Sequence, residues 1–143
     1  MLLLLLPEQV SEHWDKIKLA VEKSLPPLVG EGPEKMNNIL MSLLDGYLQC
    51  WLSFRDDGRE GVGFVITSIL SDRCSDTNSL LLYCIYGFKK TKGSDWIEGY
   101  EALRKFAKSR GCYRIVAYTK EENLIRIAER FGGDTYTFIS VPI

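Results

Sequence analysis

The sequence predicts an α/β domain of the α+β kind, with a mixed, mostly antiparallel central sheet and helices on both faces. Three observations predict it. Residues 47–54 and 62–70 are aromatic and β-branched runs on either side of the turn sequence RDDGREG, whose Asp57-Gly58 pair is a hairpin signal. Residues 80–88, LLLYCIYGF, are apolar throughout, as a strand covered on both faces must be. A long amphipathic stretch then leads to another apolar run at 113–118, the order of a crossover joining two parallel strands.

The chain opens on MLLLLL, which carries no basic residue ahead of its apolar run and is followed by Pro7-Glu8 without a small-residue cleavage site. It is expected to be a buried strand and not a leader. Val10, Trp14, Ile17, Val21 and Leu25, spaced four, three, four and four, form one face of a single helix that Pro26-Pro27 stops. Met36, Ile39, Leu40, Leu43 and Leu44 make a shorter helix closed by Asp45-Gly46. The hairpin, a polar connection at 71–79 and the 80–88 strand follow. In the next helix Trp96, Tyr100, Leu103, Phe106 and Ala107 line one face, and Gly111 ends it. Residues 113–118 are a strand, 123–131 a helix with Leu124, Ile127, Ala128 and Phe131 inward, and 136–141 a last strand. The order is β-α-α-β-β-β-α-β-α-β.

At 143 residues the chain is expected to form one domain, residues 1–143, large enough for one sizeable core. A formal net charge of −1, with no basic block longer than two residues, argues against nucleic acid as a partner. No run approaches the roughly 20 apolar residues of a membrane span, so a soluble protein is expected. Cys50, Cys74, Cys84 and Cys112 form no C-x-x-C pair, and most fall in apolar runs. They read as reduced core thiols, with no metal site, in a cytoplasmic compartment. The single histidine, His13, has no second group near it in sequence to complete a catalytic dyad.

The loop FKKTKGSDW at 88–96 runs straight into an amphipathic helix, and a helix N-terminus behind a basic, glycine-containing loop is a place where phosphate is held by main-chain N–H groups. With the preceding strand, the helix ending SRGC, the next strand and a helix ending at Gly132-Gly133, this order resembles the GNAT superfamily of acyl-CoA-dependent N-acyltransferases. The resemblance spans the chain and is densest in 61–143. It implies that acyl-CoA pyrophosphate would be held by a [QR]-x-x-G-x-[GA] loop. Here that loop reads Lys90-Thr91-Lys92-Gly93-Ser94-Asp95, and the implied cofactor-binding set is Cys84 and Tyr86 of the strand with Lys90, Lys92, Gly93, Ser94, Asp95 and Trp96.

Two departures from the family pattern shape the functional expectation. Asp95 stands where the pattern has Gly or Ala, and Asp95 or Ser94 at the helix mouth is expected to cap the N–H groups that a pyrophosphate needs. Ala128 stands where many members carry a tyrosine acid, and neither 62–70 nor 80–88 holds a carboxylate to serve as base. Tyr83, Tyr86, Tyr118 and Tyr136 read first as sheet-packing aromatics, with an acid role open to one that faces a cleft. The first reading is therefore a GNAT-fold protein without catalysis and with no cofactor, binding acetyl-CoA more weakly than about 1 mM. It would be a structural or interaction protein with protein partners, similar to small phage- and prophage-encoded GNAT-like chains, and would act in the host cytoplasm or as a virion component. The alternative is an acetyl-CoA-dependent N-acetyltransferase with a divergent loop.

Overall fold

The computed structural model describes residues 1–55 and 58–143. Asp56 and Asp57 lie outside the described residues, and with them the first half of the Asp57-Gly58 turn signal. Ten elements follow in order: β1 (Leu2–Leu4), α1 (Pro7–Glu12), α2 (Trp14–Ser24), α3 (Lys35–Asp45), β2 (Leu48–Arg55), β3 (Glu60–Asp72), β4 (Thr77–Gly87), α4 (Gly93–Ser109), β5 (Cys112–Ala117) and α5 (Glu122–Arg130). The five strands form one sheet in the order β1-β2-β3-β4-β5. All neighbours are antiparallel except β4 and β5, which are parallel and joined through α4.

The alternation read from sequence sorts side chains to the two faces. On one face Cys50, Phe64, Ile66 and Cys84 pack beneath Val10, Val21, Ile39 and Leu43 of the first three helices. On the other, Trp51 and Leu80 pack beneath Leu103 and Ala107 of α4. The indole N–H of Trp51 donates to Thr67 Oγ1 (3.0 Å), whose hydroxyl donates to Gln49 Oε1 (2.9 Å), so this core carries its polar atoms satisfied. Gly46, at φ +85°, closes α3 in the left-handed conformation that a glycine adopts without strain. Among the described residues no helix is long and apolar enough to cross a membrane.

Four expectations need correction. The leucine run is an edge strand and not a buried one: Leu2 is buried, but Leu3 and Leu4 are each 44% exposed, because β1 pairs only with β2. The first helix is two helices interrupted at His13, which is exposed. The N–H groups of His13 and Ile17 still donate to Gln9 and His13 oxygens (3.1 Å each), so the chain bends without losing its turn hydrogen bonds. Helix α5 buries no residue fully, Ala128 is exposed, and Leu124, Ile127 and Phe131 are only half-buried. Residues 136–141 form no strand. A run rich in aromatic and β-branched residues is extended stably only when a neighbouring strand takes its main-chain hydrogen bonds, and none lies alongside it.

Candidate functional site

Strand β4 carries a bulge that opens the sheet. Ile66 stands opposite Cys84 and Thr67 opposite Leu82, so Tyr83 is an extra residue in β4. The parallel ladder to β5 ends at Leu82 and Ala117, just before this bulge. Beyond it β4 continues with β3 alone, and a cleft of about 2160 Å³ opens between β4, β5 and α4, extending toward α5 and the C-terminal segment.

Main-chain alternation shows which residues face the cleft. The Phe88 N–H donates to Val62 O (2.7 Å) across the β3–β4 ladder, and alternate pairs of an antiparallel ladder exchange their hydrogen bonds. Tyr86 and Cys84 therefore direct their main-chain groups to β3, and Ile85 and Gly87 direct theirs to the cleft. Of the two strand residues expected at the site, Tyr86 lines the cleft and Cys84 does not. Cys84 is 1% exposed, and burial pushes its thiol, like that of Cys50, up to about 12. Neither is a thiolate near neutral pH. Ile85 and Gly87 were missed because side-chain identity was read and main-chain direction was not.

Of the loop residues, Lys90, Asp95 and Trp96 line one end of this cleft, whereas Lys92 and Ser94 line a separate small depression with Met1, Phe54, Arg55 and Glu98, which also takes in Asp95. Helix α4 begins at Gly93, three residues earlier than the apolar face suggested, so its N-cap is Lys92 and Asp95 is its third residue. Asp95 therefore does not cap the first-turn N–H groups. Its carboxylate accepts the Lys92 N–H (2.7 Å), which lies outside the helix, and takes a two-pronged contact from Arg55. The guanidinium Nε lies 3.0 and 3.1 Å from the two carboxylate oxygens, and Arg55 Nη2 also donates to Lys90 O (3.0 Å). The pair is largely sheltered, with side chains 17% and 10% exposed, and the Arg55 hydrogen bonds hold the Asp95 carboxyl below the usual carboxylate range.

Two consequences follow for anion binding. The N–H groups of Gly93 and Ser94 have no acceptor among the described residues, and they sit at the positive end of a 17-residue helix. The negative charge of Asp95 is matched by an arginine that sequence reading did not bring to the loop, since it lies 40 residues away on the β2–β3 hairpin. Lys90 and Lys92 are exposed beside these groups, whereas Lys89 is engaged with Glu60 at 2.6 Å. Trp96 is half-buried, and its indole N–H donates to Thr91 Oγ1 (2.9 Å), pinning the loop to the first turn of α4.

Along the rest of the cleft the aromatic side chains divide. Tyr86 stacks on Phe64 and meets Phe88 edge-on, Tyr100 stacks on Phe131, and Tyr118 meets Phe138 edge-on. Tyr83 lies outside the cleft, half-buried against the α1–α3 core, where burial raises its pKa. Tyr136 is 82% exposed.

No family model matches the sequence, and no curated protein is similar to it in sequence. Solved structures are similar in three dimensions over the full chain. A probable acetyltransferase superposes with a TM-score of 0.71 at 14% identity, covering 100% of this chain and 97% of that one. The AAC(6')-Iy enzyme in complex with a CoA bisubstrate analogue gives 0.70 at 15% identity, with the same coverage. This chain has the GNAT fold. The ribosomal-protein-alanine N-acetyltransferase of Brucella melitensis biovar Abortus 2308 is similar as well, at 0.67 and 16% identity, with 100% of this chain and 99% of that one covered.

Proposed function

We propose that the protein is an acyl-CoA-dependent N-acyltransferase whose cofactor loop has diverged, with acetyl-CoA as its donor. The observation that carries this reading is the pair of open N–H groups at Gly93 and Ser94 beside a carboxylate already neutralised by Arg55. The expected block at the loop rested on Asp95 as the cap, and Asp95 bonds outward instead. The residues present fit the donor: Gly93 and Ser94 for the diphosphate, Lys90 and Lys92 for the outer phosphates, and the cleft-facing main chain of Ile85 and Gly87 for an extended amide-bearing arm. Acyl-CoA would supply an acyl group activated as a thioester. The chain's own part is to hold that arm in the cleft and exclude water from it.

A second reading keeps the fold and the binding but not the turnover. Ala128 is exposed and carries no acid, and among the described residues strands β3 and β4 bring one carboxylate to the cleft lining, Asp72 at its far end; Glu60 lies outside the lining and is engaged with Lys89. On that reading the protein is an interaction or structural module, and a phage or virion role belongs to it. The two separate in one experiment, in which the full chain is incubated with labelled acetyl-CoA and a panel of primary amines and peptide N-termini. Amine-dependent label transfer and thiol release support the enzyme. Saturable acetyl-CoA binding with no transfer to any amine supports the module.

A further inference from the structure

The cleft is far more basic than the chain that forms it. Residues 101–120, which end α4 and carry β5, hold six Lys or Arg and one acid in a protein of net charge −1. At the loop, Lys89 is bound to Glu60, Asp95 is bound to Arg55, and Lys90 is left to the donor. Elsewhere the cleft is lined by five cations, Arg73, Arg104, Lys108, Arg114 and Lys120, and by two carboxylates, Asp72 and Asp134. All five cations are exposed, and among the described residues none pairs with a carboxylate. Arg114 is held in place, its Nε donating to Ser79 Oγ (3.3 Å) and its guanidinium lying over the Tyr113 ring. The phosphates of a donor seated at Gly93 and Ser94 do not answer these charges. The rise of a helix puts Arg104 and Lys108 roughly 16–23 Å along α4 from Gly93, and Arg114 lies beyond the helix, near the start of β5.

We propose that the cleft receives an acidic peptide as the amine acceptor, with its N-terminus at the split between β4 and β5 and its carboxylates among Arg104, Lys108, Arg114 and Lys120. This rests on the acyltransferase reading and adds the charge and kind of the second substrate. A cleft lined by unpaired cations concentrates anions and repels cations. An alkylamine is itself a cation in water, so this field admits it only on a molecule whose negative charge outweighs it. The spacing favours a chain over a small anion. The split begins where the parallel ladder ends, at Leu82 and Ala117, and Arg114 stands three strand residues back, about 10 Å away. That is the reach of three extended residues, so acidic side chains near the third and fourth positions of a peptide fall among the cations. A nucleic acid would meet the same cations, but it offers no alkylamine, and the chain lacks the overall basic excess that such binding uses. In the transfer the ammonium first gives one proton to solvent. The amine nitrogen then bonds to the acyl carbon, the carbon–sulfur bond breaks, and the second proton ends on the departing thiol.

The test compares three peptides that share an N-terminal alanine and differ in the next four residues, acidic, neutral or basic. Each is offered to the full chain with labelled acetyl-CoA, and its binding is followed separately by the anisotropy of a C-terminal fluorophore. The acidic peptide is expected to exceed the basic one in kcat/KM by about tenfold or more at low ionic strength, with the gap narrowing at high salt. Arg104→Gln combined with Lys108→Gln, and separately Arg114→Gln, change exposed side chains outside the two buried clusters and are each expected to lose most of that preference. Transfer without charge preference, or with preference for the basic peptide, overturns the proposal and leaves the acyltransferase standing. If no peptide is acylated the acyltransferase reading fails. Saturable binding of the acidic peptide alone then still supports the class of ligand, and binding that ignores charge overturns it. Displacement of the acidic peptide by a lower concentration of single-stranded RNA of equal length also overturns the proposal, in favour of a nucleic acid.

Discussion

Arg55 and Asp95 are the residues on which the account of the loop turns. Their hydrogen-bonded pair ties the β2–β3 hairpin to the first turn of α4, and breaking a sheltered charged hydrogen bond costs about 1–3 kcal/mol. Asp95→Asn is therefore expected to lower the melting temperature by several degrees at neutral pH. The carboxyl pKa is depressed in the folded state, so its contribution is complete above the unfolded value near 4 and is lost as pH falls through the folded value. Melting curves of the two proteins should run parallel above about pH 5 and converge below about pH 4. Binding should move the other way. Removing one negative charge from the helix mouth is worth about 0.3–1 kcal/mol, so Asp95→Asn should bind acetyl-CoA about two- to fivefold more tightly by titration. An equal or weaker affinity would mean that the loop's order matters more than its charge.

Among the elements, β3 and β4 set the cleft, and at Gly63 the two strands leave no room for a side chain. A methyl group there would lie 2.4 Å from the main-chain oxygen of Tyr86, whereas one at Gly61 meets nothing within 4 Å. Gly63→Ala should destabilise the fold by about 1–3 kcal/mol in denaturant melts and shift the end of β4, with Gly61→Ala as the control that does neither. The elements were legible where their burial is local and periodic. The Leu103–Ala107 stripe of α4, the hairpin runs and the apolar 80–88 segment gave helix, antiparallel pair and parallel neighbour because each pattern has one packing solution. Less was legible where a partner decides. Tyr136, Phe138 and Val141 have strand character but, among the described residues, no strand pairs with them, and the apolar face of α5 has little to pack against. The site was legible as a loop and not as a set of contacts. Lys92 and Gly93 were read as loop ahead of a helix from Trp96, whereas they are the N-cap and first residue of α4, because the turn on which this helix begins is joined to a carboxylate finding an arginine 40 residues away, and no local pattern encodes that.

For the whole molecule, the parts form a sheet split by the Tyr83 bulge, with a helix N-terminus at the mouth of the split and a second opening along β5 toward the C-terminal segment. Lys90 and Lys92 are exposed, so their attraction for phosphates acts through solvent and should fade with salt. The double variant Lys90→Ala, Lys92→Ala should weaken acetyl-CoA binding about tenfold at low ionic strength and have less effect at 0.5 M salt. The central claim, that this GNAT fold has kept a working donor site, is tested most directly by calorimetric titration of the full chain with acetyl-CoA. The account expects a one-to-one isotherm with a dissociation constant tighter than about 1 mM, more than ~4 kcal/mol of affinity, weakened by the double lysine variant. No saturable heat up to several millimolar acetyl-CoA, from a chain that melts cooperatively, would contradict it.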